Sequence, residues 1–184
     1  DENEQAIVLF KKAIALDSTY ALALAGLADA YAQRYQRYGF PEHWADSSVA
    51  LSERAIELDP NIAEPYKSLG LAYFQKEWYQ RAMQQWRKAL TLNPNFAAVY
   101  SNMGEVLDWT GHQDEAAPLI LKGMRLQPGR AGDAMKLGSV FFSLGMFEQS
   151  EYMFRRASEL NPAMIGAHSN LAEIKLLQGQ FAAA

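Results

Sequence analysis

Apolar residues recur along this chain at steps of three and four, in segments separated by short polar stretches. In residues 63–76 the apolar side chains of Tyr66, Leu69 and Tyr73 follow this spacing, and residues 78–92 repeat it. Such spacing places the apolar side chains on one face of an α-helix. The pattern therefore predicts a series of amphipathic helices and an all-α fold.

The same pattern returns with a period of 34 residues. Proline marks the period most clearly, because each of these prolines follows a polar residue and is expected to end a helix. The repeating columns are Pro60, Pro94, Pro128 and Pro162; Leu69, Met103, Leu137 and Leu171; Gly70, Gly104, Gly138 and Ala172; and Ala89, Gly123 and Ala157. Two helices in each period predict a stacked array in which each repeat packs mainly on its neighbours.

Glycines occupy two kinds of position in this repeat. Gly70, Gly104 and Gly138 fall in the middle of the first helix, where glycine costs about 1 kcal/mol relative to alanine. We expect the two helices to approach closely there, because a side chain at these positions would collide with the second helix. A second set is predicted to mark the turn between the two helices: Gly111, Gly145 and Gly179.

The columns resemble the consensus of the tetratricopeptide repeat family. One repeat matches the family pattern at Tyr66, Leu69, Gly70, Tyr73, Ala82, Trp86, Ala89 and Pro94. The resemblance covers nearly the whole chain and implies a right-handed superhelical solenoid of antiparallel helix pairs. The implied segments of this single array are a half repeat at 3–17, repeats at 21–62, 63–96, 97–130 and 131–164, and a half repeat at 165–178. Half repeats at both ends indicate a fragment of a longer protein.

The first full repeat is eight residues longer than the others. Gly39 and Pro41 fall where the connection is expected, so both helices should lengthen by about one turn. We expect the tip to form a small satellite core, with an additional docking site as the alternative. Its aromatic and basic residues are Tyr31, Arg34, Tyr35, Arg37, Tyr38, Phe40 and Trp44. The region around it also resembles tetratricopeptide segments attached to bacterial nucleotide cyclases and winged-helix regulators.

Pro118 interrupts the expected second helix of the third repeat. Proline inside a helix removes a backbone hydrogen bond and clashes, at a cost of about 3 kcal/mol, unless the helix starts late or kinks. Gly123, Gly129 and Gly132 follow closely in the sequence. We therefore expect residues 113–132 to be the most mobile segment.

Composition excludes several classes of function. The 184 residues carry a formal net charge of −4 and include no cysteine, so disulfides and sulfur-ligated zinc sites are excluded. Lysine and arginine are dispersed among acidic residues, and we expect no nucleic-acid binding. The longest apolar stretch, residues 20–28, is too short to insert into a membrane. The compartment stays open, with the cytoplasm favoured.

No catalytic constellation emerges from the sequence. His43, His112 and His168 lie in unrelated columns, and His168 takes the column of Tyr66 and Tyr100, where helix packing explains it. Phosphate-binding loops, nucleophile elbows and paired histidines on one helix face are missing. We predict that the chain is not an enzyme and holds no cofactor and no metal.

The remaining candidate for a functional site is the concave groove that the family resemblance implies on the first helices. Its candidate residues combine acidic side chains with apolar ones that the hairpin core is not expected to require. They are Lys67, Leu71, Phe74, Asn102, Glu105, Asp108, Trp109, Met135, Lys136 and Phe142. Such a groove suits an extended or helical peptide with apolar anchors and some positive charge. The alternative is that several of these aromatics pack between adjacent repeats.

A carboxylate clamp known in the family is matched only in part. Lys67, Asn102 and Lys136 fit it, whereas Leu71 and Gly132 replace polar clamp residues. In addition, the groove acids would repel an acidic peptide tail. The clamp is therefore disfavoured.

We predict a non-catalytic protein–protein interaction scaffold that binds a protein or peptide ligand. One alternative is an intramolecular regulatory or sensory domain of a bacterial signalling protein, such as a cyclase or a transcription regulator. Another is a substrate-recruiting array of an enzyme such as a glycosyltransferase. Head-to-tail self-association is a further expectation, through the apolar faces of the two half repeats: Ala6, Phe10 and Ala13 at one end, and Leu171, Ile174 and Leu177 at the other.

Overall fold

The computed structural model describes residues 2–38 and 43–182, and every regular element in this part of the chain is an α-helix. The helices are α1 Glu2–Leu16, α2 Ala21–Tyr38, α3 His43–Leu58, α4 Ala63–Gln75, α5 Tyr79–Leu92, α6 Ala97–Trp109, α7 Gln113–Leu126, α8 Ala131–Ser143, α9 Phe147–Leu160 and α10 Ile165–Ala182. The prediction of an all-α chain of helix pairs is confirmed.

The helices fall into two compact units, divided between Asn95 and Phe96. The N-terminal unit contains α1 to α5, with α2 and α3 forming one hairpin and α4 and α5 the next. In this unit α1 packs on α2, and α4 packs on both α2 and α3. One core cluster joins Ile7 of α1 to Leu27 and Tyr31 of α2.

The C-terminal unit contains α6 to α10 and follows the same plan. Helices α6 and α7 form one hairpin and α8 and α9 the next, while α8 contacts both α6 and α7, and α10 packs on α9. Ile120 of α7 packs with Leu137 and Val140 of α8 in one cluster. A second cluster joins Ala134, Ala157 and Ala167.

A notch at the middle of α4, α6 and α8 receives a large side chain from the second helix of the same hairpin. A Cβ atom at Gly104 would lie 2.5 Å from Cγ1 of Ile120, and one at Gly138 would lie 2.6 Å from Cε1 of Phe154. A Cβ atom at Gly70 would likewise collide with the indole of Trp86. Trp86 fills its notch and is completely buried there. Its Nε1 donates a hydrogen bond to the carbonyl of Lys67 at 3.1 Å. The close approach predicted for the three glycines is confirmed.

The turns of three hairpins, α4–α5, α6–α7 and α8–α9, each contain a residue in the left-handed conformation. Gly111 has a φ of +83° and Gly145 a φ of +71°, as predicted for turn glycines. The equivalent position between α4 and α5 holds Glu77, which adopts a φ of 59° without being glycine. The prediction for Gly179 is wrong, because this residue lies inside α10. A single exposed glycine costs a helix only about 1 kcal/mol, which is too little to end it.

Short polar residues close the junctions between repeats. Their side-chain Oδ1 accepts a hydrogen bond from the backbone N–H two residues on, which forms a local turn. This bond joins Asp59 to Asn61 at 2.9 Å and Asn93 to Asn95 at 3.1 Å. The same turn occurs at Asp17 and at Asn161. The polar residues before Pro60, Pro94 and Pro162 therefore have a structural role that the column spacing alone did not reveal.

Both helices of the first repeat are longer than those of the next repeat, as expected, but α2 gains more than one turn and α3 only about half a turn. Helix α2 has 18 residues and α3 has 16, whereas α4 has 13 and α5 has 14. Tyr31 is buried and its ring lies 4.7 Å from that of Trp44, over which the Arg34 guanidinium lies at 5.1 Å. These members of the tip cluster pack as a core. The side chains of Tyr35, Arg37 and Tyr38, and residues Gly39, Phe40 and Pro41, lie outside the described part of the chain.

Helix α7 runs through Pro118 without a late start. It begins at Gln113, and Pro118 is exposed on its surface. The missing backbone N–H leaves only the carbonyl of Asp114 without its helical partner, one turn earlier. The mobility of residues 113–132 remains a prediction.

Candidate functional site

The candidate groove residues lie on first helices in both compact units. Lys67, Leu71 and Phe74 lie on α4 of the N-terminal unit. The others lie on α6 and α8 of the C-terminal unit, and each set is described within its own unit.

Phe74 belongs to the core of its hairpin. Its ring lies 5.9 Å from that of Tyr79 and 6.3 Å from that of Trp86, both on α5. Only 9% of Phe74 and 7% of Leu71 remain exposed. The expectation that the hairpin does not need these apolar side chains is therefore wrong for Phe74, because α5 presents two aromatic rings to it.

Lys67 forms an ion pair with Asp29 of α2. The lysine side chain is 14% exposed and the aspartate side chain 22% exposed, so most of the pair is removed from water. The positive charge of Lys67 is thus already compensated by a carboxylate on the preceding first helix.

Lys136 of α8 is held in the same manner by α6. Its Nζ lies 2.7 Å from Oε2 of Glu105 and donates to Oδ1 of Asn102 at 2.9 Å. The side chains of Lys136 and Glu105 are 20% and 16% exposed, and Asn102 is buried. These three groove candidates are brought together in one polar cluster.

Asp133 adds a buried carboxylate beside this cluster, and sequence reasoning missed it. The residue is 1% exposed, and its Oδ2 accepts from Arg130 Nη1 at 3.2 Å. Its Oδ1 is buried without a hydrogen-bond partner among the described residues. Burial raises the pKa of Asp133, against the opposing effects of the Arg130 charge, the nearby Ser101 hydroxyl and the Lys136 charge. The missed signal was its column, since Asp133 stands where other repeats have the buried residues Pro65 and Val99.

Asp108 lies one turn beyond Glu105, near the end of α6. Burial raises its pKa, and the nearby charge of Glu105 raises it further, whereas the nearby polar side chains of Ser143 and Gln113 lower it. Asp108 Oδ1 has no hydrogen-bond partner in the described part of the chain. Glu105 and Asp108 together give this side of α6 a negative character.

The three remaining apolar candidates differ in exposure. Trp109 is 68% exposed at the end of α6. Met135 is half-buried against the alanine cluster of α8, α9 and α10, and Phe142 packs edge-on against Phe147 with ring centroids 5.6 Å apart. Trp109 is thus the apolar candidate that is most accessible to a partner. We call the surface of Glu105, Asp108, Trp109 and Lys136 the α6–α8 face.

The histidines have separate surroundings. Nε2 of His168 lies 3.1 Å from the carbonyl oxygen of Pro162. In the same way, Oη of Tyr66 donates a hydrogen bond of 3.1 Å to the carbonyl oxygen of Pro60. This equivalence supports the packing role expected for His168. Within residues 2–38 and 43–182, no group of three or more His, Asp or Glu side chains has an arrangement that could hold a metal ion. Among the helices described, none has the length and apolar character needed to cross a membrane.

The half-repeat faces proposed for self-association are largely covered within the chain. Phe10 packs on the cluster of Ile7, Leu27 and Tyr31, and Ile174 is completely buried. The large exposed apolar side chains of the terminal helices are others: Val8, Leu9 and Leu16 on α1, and Ile165 and Leu176 on α10. The faces named from the sequence are therefore wrong, because α1 packs on α2 and α10 on α9.

The stacked pairs of antiparallel helices in each unit define an α-helical repeat protein. A family model described as TPR repeat matches residues 70–108, from α4 through α6. This segment contains the Gly70–Trp86 notch and the Gly104 position of the next repeat. No curated protein is significantly similar in sequence to the chain.

Solved structures resemble the chain over most of its length. TTC0263, a thermophilic TPR protein of Thermus thermophilus, has 18% identity and a TM-score of 0.77, with 95% of this chain and 91% of that chain covered. YrrB, described as a TPR protein with an unusual peptide-binding site, has 22% identity and a TM-score of 0.60, with 92% and 83% covered. The human IFIT1 dimer with m7Gppp-AAAA has 18% identity and a TM-score of 0.84, with 96% and 42% covered.

At these identities the structural likeness concerns the fold. The family model matches residues 70–108 to the same family that the sequence columns resemble.

Proposed function

We propose that the chain is a non-catalytic interaction module, and that the α6–α8 face binds a partner segment with an apolar anchor and a basic side chain. The observation that carries this proposal is the exposed indole of Trp109 next to Asp108. Tryptophan is enriched among the residues that dominate binding energy at protein interfaces. An aromatic side chain at 68% exposure offers a large apolar area to a partner.

The charges of the α6–α8 face favour a basic partner. Lys136 is compensated by Glu105 at 2.7 Å, whereas Asp108 Oδ1 is without a hydrogen-bond donor among the described residues. A lysine or arginine of the partner would be attracted by the Asp108 carboxylate, whose Oδ1 is buried in the unbound chain. The same arrangement disfavours an acidic peptide tail, because Lys67 and Lys136 each already face a carboxylate.

The solved structures that resemble the chain bear on this proposal in different ways. The peptide-binding site named for YrrB supports a peptide ligand. The capped RNA named for IFIT1 belongs to a protein of which this chain covers only 42%. The dispersed lysines and arginines of the present chain do not form the basic stripe that RNA binding requires. We therefore retain a protein segment as the proposed ligand.

Two alternatives place such a module in a larger protein: as the regulatory domain of a bacterial signalling protein, or as the substrate-recruiting array of an enzyme. They remain proposals beside the interaction scaffold, and no contact among the described residues favours either of them. Self-association also remains a proposal. Its test is sedimentation across a hundredfold range of protein concentration, where a constant monomer mass would exclude it.

The proposed binding face can be tested with selected peptides. Random 12-residue peptides displayed on phage are selected on the wild-type chain, and the three most enriched are synthesised with a fluorophore for anisotropy titration. Trp109→Ala should weaken their binding about tenfold or more, as expected for a central anchor. Tyr152→Ala is the matched control, because Tyr152 is 62% exposed but lies on α9, a second helix. Equal affinities for wild type and Trp109→Ala would reject the α6–α8 face.

A further inference from the structure

We infer that Glu105 determines the sign of the charge that the α6–α8 face accepts: it keeps Lys136 occupied, so the face takes basic segments and rejects acidic ones. This inference rests on the proposed function, since it assumes that a segment binds at this face. It assigns to a single side chain the selection between two chemical classes of partner.

The first step concerns the hydrogen-bonding capacity of Lys136. A lysine ammonium has three N–H donors. Glu105 Oε2 at 2.7 Å and Asn102 Oδ1 at 2.9 Å take two of them, and both acceptors lie on α6. These two acceptors leave one N–H, so a ligand carboxylate could accept one hydrogen bond from Lys136 but could become its counter-ion only by displacing Glu105.

The second step concerns the cost of that displacement. Lys136 and Glu105 retain only 20% and 16% of their side-chain exposure. A ligand carboxylate that took over Lys136 would leave Glu105 largely buried and without its cation, and an uncompensated buried charge is strongly unfavourable. Asp133, which is 1% exposed, lies near enough that Glu105 and Lys136 both influence its charge. The displaced Glu105 would therefore also face a second buried carboxyl group.

The third step is that the N-terminal unit contains the same arrangement. Lys67 of α4 pairs with Asp29 of α2, just as Lys136 of α8 pairs with Glu105 of α6. In each unit, a lysine on one first helix is neutralised by an acid on the preceding first helix. The pairing is therefore a repeated property of the two units and is not an isolated surface contact.

The fourth step is the charge that remains for a ligand. With Lys136 neutralised by Glu105, and Arg130 placed beside Asp133 at 3.2 Å, the remaining ionisable group of the α6–α8 face is Asp108. A complementary partner therefore brings a lysine or an arginine. Removing the charge of Glu105 reverses this balance, because Lys136 then becomes available to an external carboxylate.

The experiment uses an array of 12-residue peptides with one Leu, Phe or Trp anchor at varied positions. Half of the peptides carry three lysines, and the other half carry three glutamates at the same positions. The full chain, labelled with a fluorophore, is applied at 0.15 M NaCl as wild type, Glu105→Gln, Lys136→Gln and Glu148→Gln. The last variant is a control that removes one negative charge from an exposed side chain on α9.

Wild type should retain the lysine peptides about tenfold more strongly than the glutamate peptides, the size of effect expected for a partly buried charge pair. Glu105→Gln should lower this ratio by about tenfold through a gain in glutamate peptides. Lys136→Gln should raise the ratio, because it frees Glu105. Glu148→Gln should keep the wild-type ratio. Circular dichroism of each variant establishes that it is folded, and the two variants test the pair from opposite sides.

The outcomes separate the inference from the function on which it rests. The role of Glu105 would be overturned if wild type, Glu105→Gln and Lys136→Gln all retained lysine and glutamate peptides in the same ratio. That outcome would leave the binding face in place. Retention of neither set by wild type would overturn both proposals. An equal change in Glu105→Gln and Glu148→Gln would show an effect of net charge and would also overturn the inference.

Discussion

Gly138 of α8 and Phe154 of α9 fit together so closely that a Cβ atom on the glycine would lie 2.6 Å from Cε1 of the ring. Phe154 is 1% exposed, so the ring has little room to move away. The absence of a side chain at one position is thus a condition for the burial of a large side chain at the other.

Gly138→Ala should therefore destabilise the C-terminal unit. Overpacking costs about 1–3 kcal/mol, and the better helix propensity of alanine returns about 1 kcal/mol of this. We expect a net loss of about 1–2 kcal/mol in the free energy of unfolding, measured by urea denaturation. Gly132→Ala is the control on the same helix, since a Cβ atom there meets no atom within 4 Å. This control should be neutral or stabilising, and equal stability of both variants would contradict the notch.

Ser48→Ala should stabilise the N-terminal unit. Ser48 is completely buried, and its Oγ has no hydrogen-bond partner among the described residues. Removing an unsatisfied buried hydroxyl should raise the free energy of unfolding by about 1 kcal/mol. Ser150 occupies the same repeat column but donates to the carbonyl of Gly138 at 2.8 Å, so Ser150→Ala should lower stability by about 1 kcal/mol. A change of the same sign in both variants would reject this explanation.

Glu77→Gly should stabilise the turn between α4 and α5. Glu77 has a φ of 59°, a left-handed conformation that costs a residue with a Cβ atom about 1 kcal/mol relative to glycine. We expect the free energy of unfolding to rise by up to about 1 kcal/mol. The greater freedom of glycine in the unfolded chain reduces this gain. Gly111→Ala tests the reverse change at a φ of +83° and should destabilise the chain. Thermal unfolding of both variants checks the opposite signs.

The buried carboxyl of Asp133 should make stability depend on pH. Its pKa is raised in the folded chain, chiefly by burial, so the folded chain binds more protons than the unfolded chain. The stability that the folded chain gains by binding this proton is fully present below the ordinary pKa of 3.8. It is lost as the pH rises through the pKa that Asp133 has in the folded chain. We therefore expect Asp133→Asn to be more stable than wild type at neutral pH, with a difference that shrinks as the pH falls towards that ordinary pKa.

Urea denaturation of wild type and Asp133→Asn at several pH values measures this difference. Asp114→Asn, an exposed substitution in the first turn of α7, serves as the control. Parallel stability curves for wild type and Asp133→Asn across the whole range would rule out a contribution from Asp133.

The sequence predicts the helices and their main packing contacts because these depend on local spacing. The period of 34 residues places Gly70, Gly104 and Gly138 on first helices, and all three positions prove to be notches. Glu77 escaped prediction because the turn conformation is imposed by the hairpin and not by the residue. Gly179 was assigned wrongly because its spacing from Gly145 matches the period, although α10 continues through it.

The candidate site was harder to predict than the fold. Periodicity indicates which helix carries a side chain, but it does not indicate which neighbours cover that side chain. Phe74 was therefore assigned to a groove, although Tyr79 and Trp86 bury it. The pairing of Lys136 with Glu105 joins residues on different helices, and only the packing of α6 beside α8 brings them together.

The two members of each notch stand 16 residues apart: Gly70 with Trp86, Gly104 with Ile120, and Gly138 with Phe154. Both therefore lie within one period, so a tandem duplication of a single repeat copies the glycine together with the side chain that fills it. An array of this kind can gain repeats during evolution without a compensating substitution elsewhere. The variation among Trp, Ile and Phe follows as well, because each ring or branched chain has to match only its own glycine.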